Sequence, residues 1–284
     1  MNTREELAGF KPRRDFFIGI DSDGTVFDSM NIKHLKAFIP AALSVWDFGD
    51  AAGNFRRIME HINLYSESRG INRFTGLLLA FETLKAETGV LPGIDTGPLK
   101  EFTEKSGVLS NSALDEWMKN NAHPFLNEVR RWSHEADRLF EEHTKGLLPF
   151  LNAEPTIKFM AEKADIMVVS SASGKGLDKD FAYSGLDRYI SLIAGQELGS
   201  KKEQLSLACS GKYESQKALM IGDAPGDLDT AGAVNASFYP IIPGKEEESW
   251  VRLKEEAASC FFAGTYRGEY ERRLITEFRR GLDQ

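Results

Sequence analysis

The chain alternates between two hydrophobic patterns, which divide it into three stretches. Phe16–Ile20 is a continuous apolar run that ends in polar residues, as in a buried strand of a parallel sheet. From Asp28 to about Gly146, apolar residues recur at intervals of three and four, as on one face of a helix. From Leu147 onward, short apolar runs alternate with helical patterns. We therefore predict an α/β core formed by residues 1–29 and 147–284, with an inserted all-helical domain over residues 30–146.

The core pattern predicts a Rossmann-like parallel sheet. After Phe16–Ile20, the further predicted strands are Ile166–Ser170, Ile190–Ala194, Ala218–Gly222 and Ser237–Ile242. Helical patterns separate them, which is typical of βαβ units. The insertion of roughly 120 residues is far too long for a connecting loop. Within it, Pro40 is expected to kink or restart a helix.

Composition narrows the class of protein. A chain of 284 residues with 42% hydrophobic and 27% charged residues is typical of a globular protein of one or two domains. The net charge of −8 argues against nucleic acid or an anionic membrane as the main partner. No apolar stretch approaches the ~18 residues of a membrane span. Met1–Arg14 carries no apolar signal segment, and Cys209 and Cys260 are far apart in sequence. We therefore expect a cytoplasmic protein without disulfides; its oligomeric state is left open.

The first chemical signal is a pair of carboxylates at the end of the first strand. Asp21 and Asp23 follow the apolar run directly, and ligands of α/β sheets bind at the carboxyl ends of the strands. Two carboxylates this close are costly unless a cation or a shared proton offsets their repulsion. An Asp-Gly turn alone would explain Asp23-Gly24 without any function.

Three later strands end in polar residues as well. Ser170–Lys175 is a Ser-rich turn, which on its own is most often a helix cap. Gly199–Leu205 places two lysines at the start of a helix, where a lone lysine is normally a surface charge. Leu219–Asp227 ends a strand in Gly-Asp-x-x-x-Asp, in which Asp227 could equally be an N-cap.

In this order, the four segments resemble the motifs of the haloacid dehalogenase-like (HAD) hydrolase superfamily. The first has the family's form, an apolar strand followed by Asp-x-Asp-Gly-Thr. The Ser-Ala-Ser turn is similar to that of the β-phosphoglucomutase and phosphoglycolate phosphatase-like branch. The resemblance covers about the first 30 residues and roughly residues 147–243, and it implies that the insertion is the family's helical cap, over the carboxyl ends of the sheet.

The resemblance implies catalytic roles for three residues. Asp21 would be the nucleophile that forms an aspartyl-phosphate, and Asp23 the general acid and base. A lysine would neutralise the nucleophile and the phosphoryl oxygens. The spacing favours Lys201, with Lys202 only slightly less suitable.

It also implies phosphate and metal ligands. Ser171, chosen over Ser170 by the Ser-Ala-Ser form, would bind the phosphate together with Ala172, Thr25 and Lys201. The metal would be Mg²⁺. Its implied ligands are Asp21, Asp23 (through its backbone carbonyl), Asp223 and Asp227.

One segment of the insertion resembles the family's substrate loop. Arg69–Arg73 looks like the cap loop of β-phosphoglucomutase-like members, in which an arginine reaches the substrate. Arg73 would then bind a distal anionic group. The alternative is a surface arginine that precedes a helix.

These roles together imply a Mg²⁺-dependent phosphatase acting on a small phosphorylated metabolite. By the resemblance, dehalogenases and phosphonatases lack an aspartate at the position of Asp23, since only a departing alkoxide needs a proton. A phosphomutase of a sugar phosphate is the second reading. A catalytically weak binding or regulatory member of the fold is the third.

Overall fold

The computed structural model describes residues 2–89 and 94–282. The chain forms two compact units. One, here called the sheet unit, comprises Met1–Ser29 and Gly146–Gln284; the other, the helical unit, comprises Met30–Lys145.

The sheet unit contains five parallel strands. These are β1 Phe16–Ile20, β2 Ala164–Val169, β3 Leu192–Ala194, β4 Ala218–Gly222 and β5 Ser237–Pro240. Their spatial order is β3-β2-β1-β4-β5, and every pairing is parallel. This is the arrangement of a Rossmann-like sheet, so the predicted fold class is confirmed.

Helices cover the sheet, which explains why its strands are apolar on both faces. All six residues of β2 are buried, for example. The α-helices of the sheet unit are Arg4–Gly9, Ala153–Ala161, Gly174–Ser184, Lys201–Cys209, Pro225–Ala233, Glu246–Arg252, Ala258–Phe262 and Glu269–Leu282, with a short π-helical turn at Leu253–Ala257. One further short helix, Ser29–Asn31, begins at the boundary between the units.

The carboxyl ends of β1 and β4 are neighbours. Ile20 pairs with Val168 on one side and with Ile221 on the other. The chain builds β2 and β3 on one side of β1, and then β4 and β5 on the other. Parallel sheets bind ligands where the order reverses in this way.

The helical unit contains only helices among its described residues. The α-helices are Ile39–Val45, Ala52–Leu64, Arg73–Thr88, Gly97–Lys105, Asn111–Met118 and Pro124–His143, with a π-helical segment at Ile32–Phe38 and a 3₁₀ turn at Gly49–Ala51. Trp132, Phe74 and Phe81 lie in its core, fully buried. The α-helix Ile39–Val45 follows the π-helical segment directly, and Pro40 lies in its first turn.

Two strands are shorter than predicted. β3 begins at Leu192 and not at Ile190; a 3₁₀ turn, Asp187–Tyr189, ends two residues before the strand. β5 ends at Pro240, opposite Gly222, the last residue of its neighbour β4.

Across residues 2–89 and 94–282, no helix has both the length and the apolar character needed to cross a membrane.

Candidate active site

The site is built at the carboxyl ends of β1 and β4. Asp21 directly follows β1, and Asp223 directly follows β4. The backbone N–H of Asp21 donates to the Ile221 carbonyl at 2.9 Å, so the ladder between the two strands continues to the first residue of the site. Strand pairing therefore fixes these two aspartates relative to one another.

A third carboxylate comes from the helix that follows β4. Asp227 lies in the first turn of Pro225–Ala233, and its Oδ2 accepts from the backbone N–H of Ala224 at 3.1 Å. Asp21, Asp223 and Asp227 are all buried, and one oxygen from each lies within 4.8 Å of the others. The N-cap of this helix is Ala224, so the alternative that Asp227 is the N-cap is wrong; Asp227 lies at the third helical position and bonds back to the N-cap backbone.

Lys201 is the cation of this cluster. Its Nζ lies 2.9 Å from Asp21 Oδ2 and 2.7 Å from Asp227 Oδ1. Lys201 is the first residue of its helix, and Ser200 and Glu203 form a capping box that fixes where the helix begins. The neighbouring Lys202 is exposed. Of the two lysines left open by the sequence, the structure therefore brings Lys201 to the aspartates.

The cluster carries more negative than positive charge. Burial raises the pKa of Asp21 well above its usual value; Lys201 opposes this rise, and the charges of Asp227 and Asp223 add to it. Burial also raises the pKa of Asp227; the charge of Lys201 lowers this pKa, and the charge of Asp223 raises it further. Burial lowers the pKa of Lys201, but the two carboxylates outweigh it and leave that pKa raised. One ammonium does not balance three buried carboxylates, so the cluster suits a further cation.

The donor set fits Mg²⁺. Three carboxylates provide hard oxygen ligands, which this ion prefers, and they leave coordination positions for water or a phosphate. The side chain of Asp23 is outside this group of three. The sequence had assigned Asp23 to the metal through its backbone carbonyl, and that assignment stays a prediction.

Thr25 contacts a carboxylate of this cluster. Its hydroxyl donates to Asp223 Oδ1 at 2.6 Å, and its backbone carbonyl accepts from Trp250 Nε1 at 2.9 Å. Trp250 is fully buried in Glu246–Arg252. The hydrogen bond from Thr25 thus orients the Asp223 carboxylate. The contact of Thr25 with a phosphate stays a prediction.

Asp23 has a different environment from Asp21. It is partly buried, and Ser29 Oγ donates to its Oδ1 at 2.6 Å. Asp180, on Gly174–Ser184, is half-buried, and its pKa is raised first by burial and then by the negative charge of Asp23. Sequence reasoning did not single out Asp180, because nothing in its local pattern indicates a neighbour more than 150 residues away.

The serine turn after β2 has one buried and one exposed hydroxyl. Ser170 is buried, and its Oγ accepts from the backbone N–H of Ala172 at 3.1 Å. The Ala172 carbonyl accepts from the Gln196 N–H at 2.9 Å. Ser171, the predicted phosphate ligand, is exposed at the tip of the turn. Its hydroxyl is therefore accessible to a ligand, whereas that of Ser170 holds the turn.

Arg73 belongs to the helical unit and has partners there. Its NH1 lies 2.6 Å from Asp137 Oδ1 and 3.0 Å from Ser133 Oγ, and its guanidinium lies 4.7 Å from the centre of the Phe38 ring. Asp137 also accepts from Asn111. The predicted contact between Arg73 and a substrate stays a prediction.

Comparisons with known proteins give similarity in solved structures alone. No family model matches the chain, and no curated protein matches it. A predicted phosphoglycolate phosphatase from Haemophilus somnus 129PT is 16% identical, with a TM-score of 0.49 over 81% of this chain and 86% of that one. A HAD-superfamily hydrolase of subfamily IA from Geobacter sulfurreducens PCA is 13% identical, with a TM-score of 0.41 over 80% and 88%. A hydrolase from Pseudomonas syringae is 15% identical, with a TM-score of 0.47 over 82% and 90%.

Two of these proteins are described as hydrolases and one as a predicted phosphatase. At such low identities and TM-scores, similarity carries no information about chemistry. The chemistry of this chain must therefore be inferred from its own buried carboxylates and Lys201.

Proposed function

We propose that the protein is a Mg²⁺-dependent phosphatase that hydrolyses a small phosphorylated metabolite through an aspartyl-phosphate at Asp21. The observation that supports this best is the cluster itself. Three buried carboxylates lie within 4.8 Å of one another, and Lys201 Nζ bridges two of them. Phosphoryl transfer requires mainly positioning and charge neutralisation, and such a cluster provides both.

The residues present fit Mg²⁺, which would be held by Asp21, Asp223 and Asp227. When bound, the ion would neutralise charge on the phosphoryl oxygens. Lys201 holds Asp21 Oδ2 at 2.9 Å and so fixes the direction of the nucleophile. The ammonium also keeps a positive charge beside the oxygens of an incoming phosphate, because its pKa is raised by the carboxylates around it.

The proposed reaction has two steps that share the same groups. In the first, a carboxylate oxygen of Asp21 forms a bond to phosphorus while the ester P–O bond breaks, and the proton of Asp23 passes to the departing oxygen. In the second, Asp23 takes a proton from water, whose oxygen attacks phosphorus and releases Asp21 and inorganic phosphate. The hydrogen bond from Ser29 holds the Asp23 carboxyl in one orientation for both steps.

Asp23 is the reason to prefer a phosphate ester to a halide as the substrate. A departing alkoxide needs a proton, whereas a halide does not.

The test measures hydrolysis of p-nitrophenyl phosphate and a panel of phosphorylated metabolites, with Mg²⁺ and with a chelator. We expect hydrolysis in the presence of Mg²⁺ and none in the chelator. We expect Asp21→Asn to lower kcat by at least about 10³-fold, because an amide cannot attack phosphorus. Asp229→Asn is the matched control, since Asp229 is exposed on the helix that carries Asp227. Full activity in chelator, or near-normal turnover by Asp21→Asn, would contradict the proposal.

A further inference from the structure

Gln204 is a fully buried polar side chain close to the site. It lies one turn into the Lys201–Cys209 helix, on the face that packs against the sheet with Leu205 and Ala208. In the sequence it is one polar position of a helix that begins with two lysines, and no motif marks it. A buried amide is costly unless its donors and acceptor are paired.

The Gln204 amide is paired with backbone groups from three different segments. Its Oε1 accepts from the Ser170 N–H at 3.1 Å. Its Nε2 donates to the carbonyls of Ser170 at 3.0 Å, Gly195 at 3.0 Å and Gly199 at 2.9 Å. An amide nitrogen has two hydrogens, so one of them is shared between two carbonyls.

These segments are the ends of β2 and β3 and the residues just before the Lys201–Cys209 helix. Ser170 follows β2; its N–H is shared between the Ala194 carbonyl at 3.1 Å and Gln204 Oε1, and its carbonyl accepts from Gln204 Nε2. Gly195 follows β3. Gly199 has φ +106°, a conformation that favours glycine, and it lies two residues before Lys201. The Gln204 amide thus connects the Ser170–Ala172 turn to the start of the helix that carries Lys201.

We propose that Gln204 is a positioning residue of the active site, which sets the place of the Ser170–Ala172 turn relative to Lys201. The inference rests on the proposed function, because it assigns a catalytic use to Lys201 and a phosphate contact to the turn. No other side chain in the described ranges, 2–89 and 94–282, is shown bonded to the backbone of both Ser170 and Gly199. Without it, three carbonyls lose a donor, and the two segments can shift relative to one another.

Two variants and one control test this role. Gln204→Met keeps the length of the side chain but removes every hydrogen bond, and Gln204→Glu keeps the acceptor for Ser170 N–H while losing both donors. Gln216→Met is the matched control, since Gln216 is exposed and bonds to Glu214 alone among the contacts described. We expect kcat per folded molecule, measured well below Tm, to fall between about tenfold and about a hundredfold in both Gln204 variants. Gln216→Met should leave it unchanged.

A second measurement does not depend on activity. In the wild-type protein Lys201 Nζ is held between two carboxylates and Lys202 is exposed. An amine-acylating reagent, followed by mass spectrometry of the fragment that contains both residues, reports their relative reactivity. We expect the acylation of Lys201 relative to Lys202 to rise in Gln204→Met and Gln204→Glu, and to stay at the wild-type ratio in Gln216→Met.

The outcomes separate this inference from the proposed function. Folded Gln204 variants with unchanged kcat and an unchanged Lys201-to-Lys202 ratio would overturn the positioning role. A lowered Tm with unchanged kcat per folded molecule, or failure of both variants to fold, would assign Gln204 to the fold alone and would also overturn it. A wild-type protein without Mg²⁺-dependent phosphatase activity would instead contradict the proposed function, and the acylation ratio would still decide whether Gln204 positions Lys201.

Discussion

Protons and a bound cation would compete for the same carboxylate oxygens of Asp21 and Asp227. The pKa of Asp21 is raised first by burial, and so is that of Asp227. A group whose pKa is higher in the folded than in the unfolded state stabilises the fold at low pH, and this contribution is lost as the pH rises through the folded value. The metal-free protein therefore loses stability at these two groups as the pH rises.

Mg²⁺ should reverse this trend, because it binds the ionised carboxylates. We predict that added Mg²⁺ raises Tm more at pH 8 than at pH 5, in thermal denaturation at a fixed Mg²⁺ concentration. Saturation at a hundredfold excess over Kd corresponds to about 2.7 kcal/mol of stabilisation. Asp223→Asn removes a ligand and should shrink the Mg²⁺-dependent shift, whereas Asp229→Asn should not. Equal shifts at both pH values in the wild-type protein would argue against metal binding at these carboxylates.

The sequence indicated the charged residues of the site but not the residues that hold them. The positions of Asp21 and Asp223 at strand ends could be predicted because each follows an apolar run, whereas the choice between Lys201 and Lys202 was left open. Trp250 and Gln204 could not be predicted, because their partners are backbone groups of Thr25, Ser170 and Gly199. A polar side chain bonded to distant backbone leaves no periodic pattern in the sequence.

At the scale of elements, β4 and the helix after it approach each other closely at Gly222. A Cβ added at Gly222 would overlap with the Cβ, Cγ and Oδ2 atoms of Asp227. Asp227 cannot move away easily, because Lys201 and the Ala224 N–H both hold its carboxylate. The absence of a side chain at residue 222 therefore allows the helix to begin where Asp227 meets Lys201.

We predict that Gly222→Ala lowers the free energy of unfolding by about 1–3 kcal/mol through overpacking, and that it also removes most of the Mg²⁺-dependent rise in Tm. Gly226→Ala is the control within the same segment. It lies in the helix with open space around a new Cβ, so it should be neutral or stabilising by up to about 1 kcal/mol. Denaturant unfolding measures both, and a Gly222→Ala protein with wild-type stability and Mg²⁺ response would show that the overlap is relieved elsewhere.

The strands were the most predictable elements, and their ends were the least. Continuous apolar runs located all five strands, because a strand buried on both faces excludes polar residues. The predicted start of β3 was two residues too early and the predicted end of β5 two residues too late, since apolar residues lie beyond the paired residues of both strands. Ile241 and Ile242 are buried beyond β5 without belonging to it.

At the scale of the whole molecule, each unit has its own hydrophobic core. Trp132 lies in the core of the helical unit, where its ring contacts Phe38 and Phe74 and its Nε1 donates to the Phe38 carbonyl at 3.0 Å. The sheet unit has separate cores on the two faces of its sheet. A loss of packing in one unit should therefore stay largely within it.

We predict that Trp132→Ala destabilises the helical unit by about 3–5 kcal/mol. Hydrogen exchange should quicken across residues 30–145, while amides of β1 and β4 keep their protection. Trp117→Ala, at a partly buried position of the same unit, should have a smaller effect. Equal loss of protection in the sheet unit would mean that the two units unfold as one.

The central place of β1 in the sheet has a consequence for how the protein is made. Among the residues that the structure describes, Phe16–Ile20 pairs with β2 and β4 alone, and β2 begins with Ala164. At ribosomal rates of about 5–20 residues per second, β1 waits on the order of 10–30 s for its first neighbour. During that time the whole helical unit is synthesised and can fold on its own local contacts, while an apolar strand without partners is available to chaperones and to aggregation. Expression yield is thus expected to respond more to changes in these five residues than to changes in any other strand.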